Sequence, residues 1–332
     1  MKKQKQMPKS IKEIQTTDYF SQEESILTGI KPLDNLLSGG LITGEMVQLV
    51  GESNVGKTTI ALQIAYNYCK QGKKVLFVDT KLGISSSSIN NMRLNNYINC
   101  NFYYVRASAF KELDDVIDDY IGTGEIDLLV IDSIASLVND GYLNLNKKIE
   151  IDNNNSNYDS RPLSLLIKKL SKLGPKYQFT TLLVNEIRCT INKITGSIPK
   201  IFGPKVLGYE TNVIIKMTEV KKGTSESKLE PLKETDGIVP ISFEIIKSNR
   251  QSNKKISIFI KKGYGYSTIA TYIYVLLEKE IIKQNGAYYS FNNSSIKGIK
   301  ALYDALISNN TENINETMMQ IIDDYYSYIN SN

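Results

Sequence analysis

The sequence predicts an α/β fold: a mostly parallel sheet with helices on both faces, an antiparallel extension and a small α+β C-terminal domain. Short apolar runs alternate with helical segments from residue 46 to residue 185, as in parallel sheets buried on both faces. Three later strand-like runs follow one another without an intervening helix, which favours antiparallel pairing. After Thr268 the pattern is mostly helical, with a Gly-Ala-Tyr-Tyr turn at 286–289.

The predicted elements follow in chain order. Residues 1–23 are polar and basic, and we expect them to form an N-terminal arm, a candidate polymerisation element. Residues 24–267 are expected to form the core and residues 268–332 the C-terminal domain. The strands are expected at 46–51, 74–79, 102–105, 127–132, 180–185, 211–217, 241–247 and 255–261. Helices are expected at 57–70, 111–121 and 161–173.

Composition excludes several classes of enzyme. The chain contains no histidine, which excludes Ser-His-Asp and Cys-His catalysis and any histidine-containing zinc site. Cys69, Cys100 and Cys189 are widely spaced, so they predict neither disulfides nor a metal cluster and fit a cytoplasmic protein. The net charge of +5 permits a polyanionic partner without requiring one. No segment has the pattern of a signal peptide or a membrane span, so no membrane partner is expected.

The segment GESNVGKT, at 51–58, matches the phosphate-binding pattern G-x-x-x-x-G-K-[ST] between a predicted strand and a predicted helix. Gly51 and Gly56 let the backbone wrap tightly, so that its N–H groups and the helix N-terminus face the phosphates. Lys57 is expected to reach the β- and γ-phosphates, and the Thr58 hydroxyl to bind Mg²⁺. The predicted residues of this ATP site are Gly51, Glu52, Ser53, Asn54, Val55, Gly56, Lys57, Thr58 and Thr59.

An acidic residue ends the hydrophobic run DLLVID at 127–132. In nucleoside triphosphatases, a carboxylate at the end of such a strand holds the Mg²⁺ ion, so Asp132 is predicted to join Thr58 as a metal residue. The alternative is that Asp132 only caps the following turn.

Two segments, 139–160 and 190–210, are rich in Asn, Ser, Gly and Pro and are expected to be mobile loops. Each follows a predicted strand, so both belong at the carboxyl edge of the sheet, where ligands bind. Lys193, Lys200 and Lys205 give the second segment the charge needed for phosphate contacts that do not depend on sequence. The alternative is a surface loop with incidental lysines.

These motifs, in this order, resemble the bacterial and phage RecA-type recombinases over roughly residues 24–308. The segments that carry the resemblance are ILTGIKPLDNLLSGGLITGEMVQLVGES, VIDSIASL, LLVNEIR, FGPKVLGYETNVIIKM, FEIIKSNR and LLEKEIIKQNGAYYSF. A phosphate loop alone indicates only a nucleoside triphosphatase, whereas the ordered set, and its last member above all, is specific to this family.

The resemblance implies a RecA-type P-loop NTPase core that assembles into a homo-oligomeric filament on single-stranded DNA, with duplex DNA bound during pairing. It implies that ATP lies between neighbouring subunits, where Lys247 and Arg250 of one subunit supply positive charge to the γ-phosphate of the next. Without the resemblance, these two would be a solvated charge pair at a strand end. The two loops match the family's DNA-binding loops. The predicted DNA-binding residues are Arg161, Lys168, Cys189, Ile191, Lys193, Lys200, Gly203 and Lys205.

The sequence departs from the family at two positions beside the nucleotide. Lys81 stands where the family has its water-activating glutamate, and a charged lysine cannot accept a proton. Glu186 stands where the family has a glutamine that senses the γ-phosphate. Either Glu186 takes over as general base or Lys81 and Glu186 form a compensating ion pair. With Lys57, Lys247 and Arg250, Glu186 completes the predicted catalytic set.

Three functional hypotheses remain at this point. The first is a recombinase: a DNA-dependent ATPase that pairs homologous DNA and exchanges strands in repair and recombination. The second is a filament protein that hydrolyses ATP weakly or not at all and uses it as a structural ligand, which Lys81 favours. The third is another ATPase of the same fold, such as a helicase motor, which the C-terminal segment argues against.

Overall fold

A computed structural model describes residues 24–98, 100–139, 160–192, 196–221, 223–250, 254–291, 294–308, 320–321 and 324–326. The predicted N-terminal arm therefore lies outside the described residues, as does the first predicted loop apart from its end residues. The strands are β1 (Ser25–Ile26), β2 (Leu41–Ile42), β3 (Met46–Gly51), β4 (Val75–Asp79), β5 (Phe102–Arg106), β6 (Leu128–Asp132), β7 (Thr180–Asn192), β8 (Gly196–Ile201), β9 (Val213–Glu219), β10 (Ile238–Lys247), β11 (Lys255–Lys261), β12 (Gly265–Tyr266), β13 (Lys283–Asn285), β14 (Tyr288–Phe291) and β15 (Ser294–Lys297). The helices are α1 (Lys31–Leu36), α2 (Lys57–Lys70), α3 (Ser86–Asn91), α4 (Phe110–Ile121), α5 (Ser160–Tyr177), α6 (Lys205–Glu210), α7 (Pro231–Asp236), α8 (Thr268–Glu278) and α9 (Ile299–Ser308).

One large sheet carries the core, in the order β12-β11-β10-β9-β3-β7-β6-β4-β5. From β9 to β5 neighbouring strands are parallel, and from β9 to β12 they are antiparallel. The predicted α/β fold is confirmed. One detail differs: β9, predicted within the antiparallel extension, is also parallel to β3. The chain between β7 and β9, which contains α6, crosses over and brings β9 back to β3 in the same direction.

The sheet is buried on both faces because successive side chains of its central strands point to opposite sides. In β6, Leu128 and Val130 belong to one hydrophobic cluster and Leu129 and Ile131 to the other. Helices α2 and α8 contribute to the first cluster, and α4 and α5 to the second. This burial explains the near-continuous apolar runs in the sequence.

The second predicted loop is a regular β-hairpin for much of its length. Strand β7 continues past the sheet edge to Asn192 and pairs with β8, with Ile187 opposite Ile201. The hairpin is followed by the short helix α6. The expectation of an irregular loop at 190–210 was wrong, because the isoleucines and threonines of this segment favour an extended pair despite its Asn, Gly and Pro content.

The C-terminal part is less helical than its pattern predicts. Helix α8 packs in the same hydrophobic cluster as β11, and β13, β14 and β15 then form a three-stranded antiparallel sheet before α9. The expected turn is the tip of a hairpin, in which Asn285 pairs with Tyr288 around Gly286 at φ +59°. A glycine after asparagine is a strong hairpin signal, and it outweighs the helical pattern around it.

Helix α5 is longer than predicted, because it continues through Gly174 and Pro175 to Tyr177. Gly174 lies against the backbone of Gly44, where an added Cβ would be 3.0 Å from the carbonyl oxygen, so this glycine allows close packing. The inner face of the helix is buried through Leu163, Leu166, Ile167 and Leu170.

We expect the two faces of α5 to respond differently to truncation. Ile167 is fully buried, so Ile167→Ala should lower the free energy of unfolding by about 2–5 kcal/mol, through lost apolar contact and a residual cavity. Leu165 is 60% exposed, so the control Leu165→Ala should change it by less than about 0.5 kcal/mol. Urea titration measures both, and equal losses would contradict the packing described.

Candidate nucleotide site and nucleic-acid interface

The segment between β3 and α2 forms a tight phosphate loop that side chains at its glycines would disrupt. Gly56 has φ +97°, and a Cβ there would lie 2.4 Å from Ile260 Cδ1. A Cβ on Gly51 would lie 2.6 Å from the Met217 carbonyl oxygen. Asn54 adopts φ +62°, which Asn tolerates better than most residues. The loop therefore has the close backbone curvature that a polyphosphate needs.

Lys57 is a buried cation held by this loop. Its Nζ donates to the carbonyl oxygens of Gly51 (2.9 Å) and Glu52 (2.6 Å), and the residue is 5% exposed. Burial and, to a smaller extent, the charge of Lys81 lower the pKa of Lys57 to about 8, although Glu186, Asp132 and Glu52 oppose the shift. An anionic phosphate in the loop would compensate this buried charge.

Thr58 and Asp132 meet as the sequence predicts. The Thr58 hydroxyl donates to Asp132 Oδ2 at 2.6 Å, while the buried Asp132 Oδ1 has no hydrogen-bond partner among the described residues. Burial raises the pKa of Asp132, against the hydrogen bond from Thr58 and the charge of Lys81. A hydroxyl beside a buried carboxylate oxygen that lacks a partner fits a hydrated Mg²⁺ ion, which prefers oxygen ligands and retains several waters.

The sequence interpretation missed Asp79. It lies opposite Asp132 at the end of the neighbouring strand, is fully buried, and also has one oxygen, Oδ1, without a partner among the described residues. Its other oxygen accepts hydrogen bonds from the Tyr104 hydroxyl (2.7 Å) and the Ile84 N–H (3.0 Å). The signal in the sequence was the acidic end of the run KVLFVD, which matches the end of DLLVID.

Lys81 and Glu186, the two residues predicted from the sequence to depart from the family pattern, form an ion pair. Lys81 Nζ lies 3.0 Å from Glu186 Oε1, and Glu186 is the register neighbour of Gly51 at the start of the phosphate loop. Burial alone would raise the pKa of Glu186, but the hydrogen bond and charge of Lys81, with Arg188 and Lys57, hold this pKa below its usual range. A carboxylate stabilised as an anion is a weaker proton acceptor.

Glu186 also connects the phosphate loop to the β7–β8 hairpin. Arg188 Nη2 lies 3.5 Å from Glu186 Oε2 and donates to the Ala135 carbonyl oxygen at 3.1 Å. The guanidinium stacks 4.2 Å from the ring centre of Phe202, whose N–H donates to the Glu186 carbonyl oxygen at 2.9 Å. One group of contacts thus joins the nucleotide site, the hairpin end and the strand end that leads into residues 139–160.

Buried amide side chains form a hydrogen-bond network at the end of the β7–β8 hairpin. Asn185 Nδ2 donates to Gln48 Oε1 (3.0 Å) and to the Phe202 carbonyl oxygen (2.9 Å). Gln48 Nε2 donates to the Thr211 hydroxyl at 2.7 Å, and that hydroxyl donates to the Leu207 carbonyl oxygen at 2.6 Å. Since buried amides are costly unless they are hydrogen-bonded, this network holds the hairpin end and α6 to the strand that leads into the phosphate loop.

Lys247 and Arg250, predicted to act on a neighbouring subunit, make contacts within their own chain. Lys247 Nζ donates to the carbonyl oxygens of Gly208 (2.8 Å), Tyr209 (3.1 Å) and Thr211 (2.5 Å), at the C-terminal end of α6. Arg250 Nη2 pairs with Glu45 Oε2 at 2.6 Å. The structure therefore does not bring these two cations to the phosphate loop of the same chain.

The predicted DNA-binding residues lie on the hairpin, on the turn after it and on α5. Lys200 is exposed on β8, Lys205 is exposed at the start of α6, and Arg161 and Lys168 are exposed on α5. Gly203 has φ +114°, and a Cβ there would lie 2.8 Å from Leu207 Cδ2, so this glycine shapes the turn. Cys189 and Ile191 belong to β7, and Lys193 lies outside the described residues.

Within the described part of the chain, no group of three or more Cys, Asp or Glu side chains is arranged to hold a metal ion, which leaves the Thr58–Asp132 pair as the metal candidate. In the same residues, no helix combines the length and the apolar character needed to cross a bilayer.

Removing the buried cation should change how stability depends on pH. The pKa of Lys57 is about 8 in the folded chain against 10.5 for an ordinary lysine, so between these pH values the unfolded chain binds more protons and folding strengthens as pH rises. Nucleotide-free Lys57→Met should therefore unfold at a higher urea concentration than wild type at about pH 7, with an advantage that shrinks above pH 8. A difference in stability between Lys57→Met and wild type that does not change with pH would contradict the assignment of Lys57 as a buried cation with a lowered pKa.

The comparisons with known proteins agree with this geometry. A family model described as the RecA N-terminal domain matches residues 4–242. Protein RecA of Malacoplasma penetrans is 25% identical over 98% of this chain and 97% of its own length, and Protein RecA of Fusobacterium nucleatum is 28% identical over 82% and 69%. DNA repair protein recA homolog 3, mitochondrial, of Arabidopsis thaliana is 26% identical over 90% and 66%.

The family match spans well over half of the chain and includes the phosphate loop, Asp132 and most of the large sheet. The identities of these relatives, 24–28% over most of the chain, are modest. The chain is a divergent member of the RecA family.

Proposed function

We propose that the chain is an ATP-dependent recombinase that binds single-stranded DNA as a filament and pairs it with homologous duplex DNA in repair and recombination. One observation carries the proposal: the contacts of Glu186 and Arg188 join the phosphate loop directly to the β7–β8 hairpin. A nucleotide in the loop can thereby affect the segment that would hold the DNA. The printed names of the relatives, Protein RecA and DNA repair protein recA homolog 3, support the same role.

In this proposal the chain's own residues bind ATP and Mg²⁺. Backbone N–H groups of the loop and the first turn of α2 face the phosphates, Lys57 compensates their charge, and Thr58 and Asp132 hold the Mg²⁺ ion. When bound, the ion would neutralise charge on the phosphate oxygens. Lys81 adds a second cation near Lys57, since the charge of Lys81 lowers the pKa of Lys57.

The Lys81–Glu186 pair favours tight binding of ATP with slow hydrolysis, as in the filament protein that uses ATP as a structural ligand. Lys81 cannot accept a proton from water, and Glu186 is held as an anion by two cations. The DNA-binding state then depends on whether ATP is bound. The slow hydrolysis of ATP sets the lifetime of that state. For Lys247 and Arg250 to act on a neighbour's γ-phosphate, they would first have to leave the α6 carbonyls and Glu45.

ATP turnover, measured with and without single-stranded DNA, tests this proposal. Wild type should turn over slowly, and Lys81→Glu should raise the rate about 10²-fold or more, because a positioned general base contributes about that much. The control is Lys74→Glu, which makes the same charge change in a surface ion pair with Glu125 just before β4. Brisk wild-type turnover that is lost in Glu186→Gln would instead assign the base to Glu186.

Lys57→Ala should abolish nucleotide-dependent binding of single-stranded DNA, because the loop loses the cation that compensates the phosphates. Fluorescence anisotropy of a labelled oligonucleotide, with ATP and Mg²⁺ or without nucleotide, measures the effect, and electron microscopy shows whether filaments form. Lys70→Ala, at the exposed far end of α2, is the matched control. Unchanged ATP-dependent binding in Lys57→Ala would refute the assigned phosphate site.

A further inference from the structure

Two carboxylates end neighbouring strands of the large sheet, and each keeps one oxygen without a partner. Asp79 ends β4 and Asp132 ends β6, and the two residues are register partners in this parallel pair. They are 0% and 1% exposed, and in both side chains Oδ1 has no hydrogen-bond partner among the described residues. A buried carboxylate oxygen without a donor is costly, so two of them on adjacent strands indicate a ligand that supplies donors or positive charge.

Both carboxylates project from the face of the sheet that carries the phosphate loop. Along β4, Val75 and Phe77 belong to the hydrophobic cluster that contains residues of α2, and Asp79 is next in this alternation. Asp132 faces the same helix, since its Oδ2 accepts the hydrogen bond from Thr58. Burial and, to a smaller extent, the charge of Asp79 raise the pKa of Asp132, so the two carboxylates lie within electrostatic reach of each other.

The residue after Asp79 holds the two strand ends together. The Thr80 N–H donates to the Asp132 carbonyl oxygen at 2.9 Å, and the Thr80 hydroxyl donates to the Ser133 carbonyl oxygen at 2.6 Å. Thr80 is itself buried. The backbone therefore fixes the two carboxylates as neighbours, because their strands stay paired up to and beyond both residues.

The orientation of the Asp79 carboxylate is set by the donors to its other oxygen. Oδ2 accepts hydrogen bonds from the Ile84 N–H at 3.0 Å and from the Tyr104 hydroxyl at 2.7 Å. The Tyr104 hydroxyl in turn accepts from Arg106 Nε at 3.3 Å, at the exposed end of the edge strand β5. Since both donors bind Oδ2, Oδ1 is the oxygen that remains for a ligand.

We propose that Asp79 is a positioning residue for the Mg²⁺ ion of the nucleotide site: with Asp132, it accepts hydrogen bonds from the water molecules that the ion retains. The proposal rests on the proposed function, because it takes a nucleotide with Mg²⁺ as the ligand of the phosphate loop. Mg²⁺ loses its waters reluctantly and is bound through one or two carboxylates, which suits two buried acceptors near the Thr58 hydroxyl. Lys81 does not take this place, because its Nζ pairs with Glu186.

The test compares Asp79→Asn with the control Tyr104→Phe in the full chain. Asparagine has the size of aspartate, and because the Oδ2 position must still accept two hydrogen bonds, its NH₂ group takes the place of Oδ1 and cannot accept from water. Tyr104→Phe removes one hydrogen bond to Oδ2 but keeps the carboxylate, so it controls for changes in local packing.

Two affinities are measured for each protein. Mn²⁺, which suits the same oxygen ligands as Mg²⁺, is titrated into the complex with ADP, and electron paramagnetic resonance gives the bound fraction. The affinity for fluorescently labelled ADP is measured separately in EDTA. Thermal unfolding shows whether the variants are folded, and Asp79→Ser, which also removes the carboxylate, replaces Asp79→Asn if the latter does not fold.

Asp79→Asn should bind Mn²⁺ about 10–100-fold more weakly than wild type, the usual cost of losing a hydrogen-bond partner of a metal's ligands, while its affinity for ADP in EDTA is unchanged. Tyr104→Phe should match wild type in both measurements. Unchanged Mn²⁺ affinity in Asp79→Asn, or an equal loss in Tyr104→Phe, would overturn the proposal. Wild type that binds no ADP, with or without the metal, would instead overturn the nucleotide site and with it the proposed function.

Discussion

The sheet is buried on both faces, and this constraint determines where chemistry can occur in the molecule. Strands such as β6 are apolar along their length, so charged groups are tolerated only where a strand ends. Gly51, Asp79, Asp132 and Glu186 therefore reach the same edge, and their strand registers align them as neighbours. The site is a consequence of the parallel arrangement, since an antiparallel sheet would have sent alternate strand ends to opposite edges.

At that edge, two lysines, an arginine and one carboxylate form a connected group beside the phosphate loop. Lys81 and Lys57 place two cations beside the phosphate loop, and Glu186 neutralises part of this charge while it contacts Arg188. In the proposed function, the Lys81–Glu186 pair would favour retention of an anionic ligand over activation of water, and its connection to Phe202 would make the hairpin sensitive to that ligand.

Local pattern and the family resemblance were sufficient to predict the parallel strands, the phosphate loop and the roles of Thr58 and Asp132, because each of these is marked by a short motif in the sequence. Three features were not predictable in the same way. The β7–β8 hairpin forms where composition indicated a loop, and the network of Gln48, Asn185 and Thr211 joins residues more than 130 positions apart. Asp79 was marked in the sequence only by the acidic end of its strand, and the structure adds its burial beside Asp132.

Residues far downstream in the sequence also contact the phosphate loop. Ile260 lies where a side chain at Gly56 would be, and the Gly263 N–H donates to the Thr59 hydroxyl at 3.2 Å, 204 positions away. During synthesis, the loop leaves the ribosome long before β11 exists to support its outer side. The phosphate loop of a nascent chain therefore gains these supporting contacts only after most of the chain has been made.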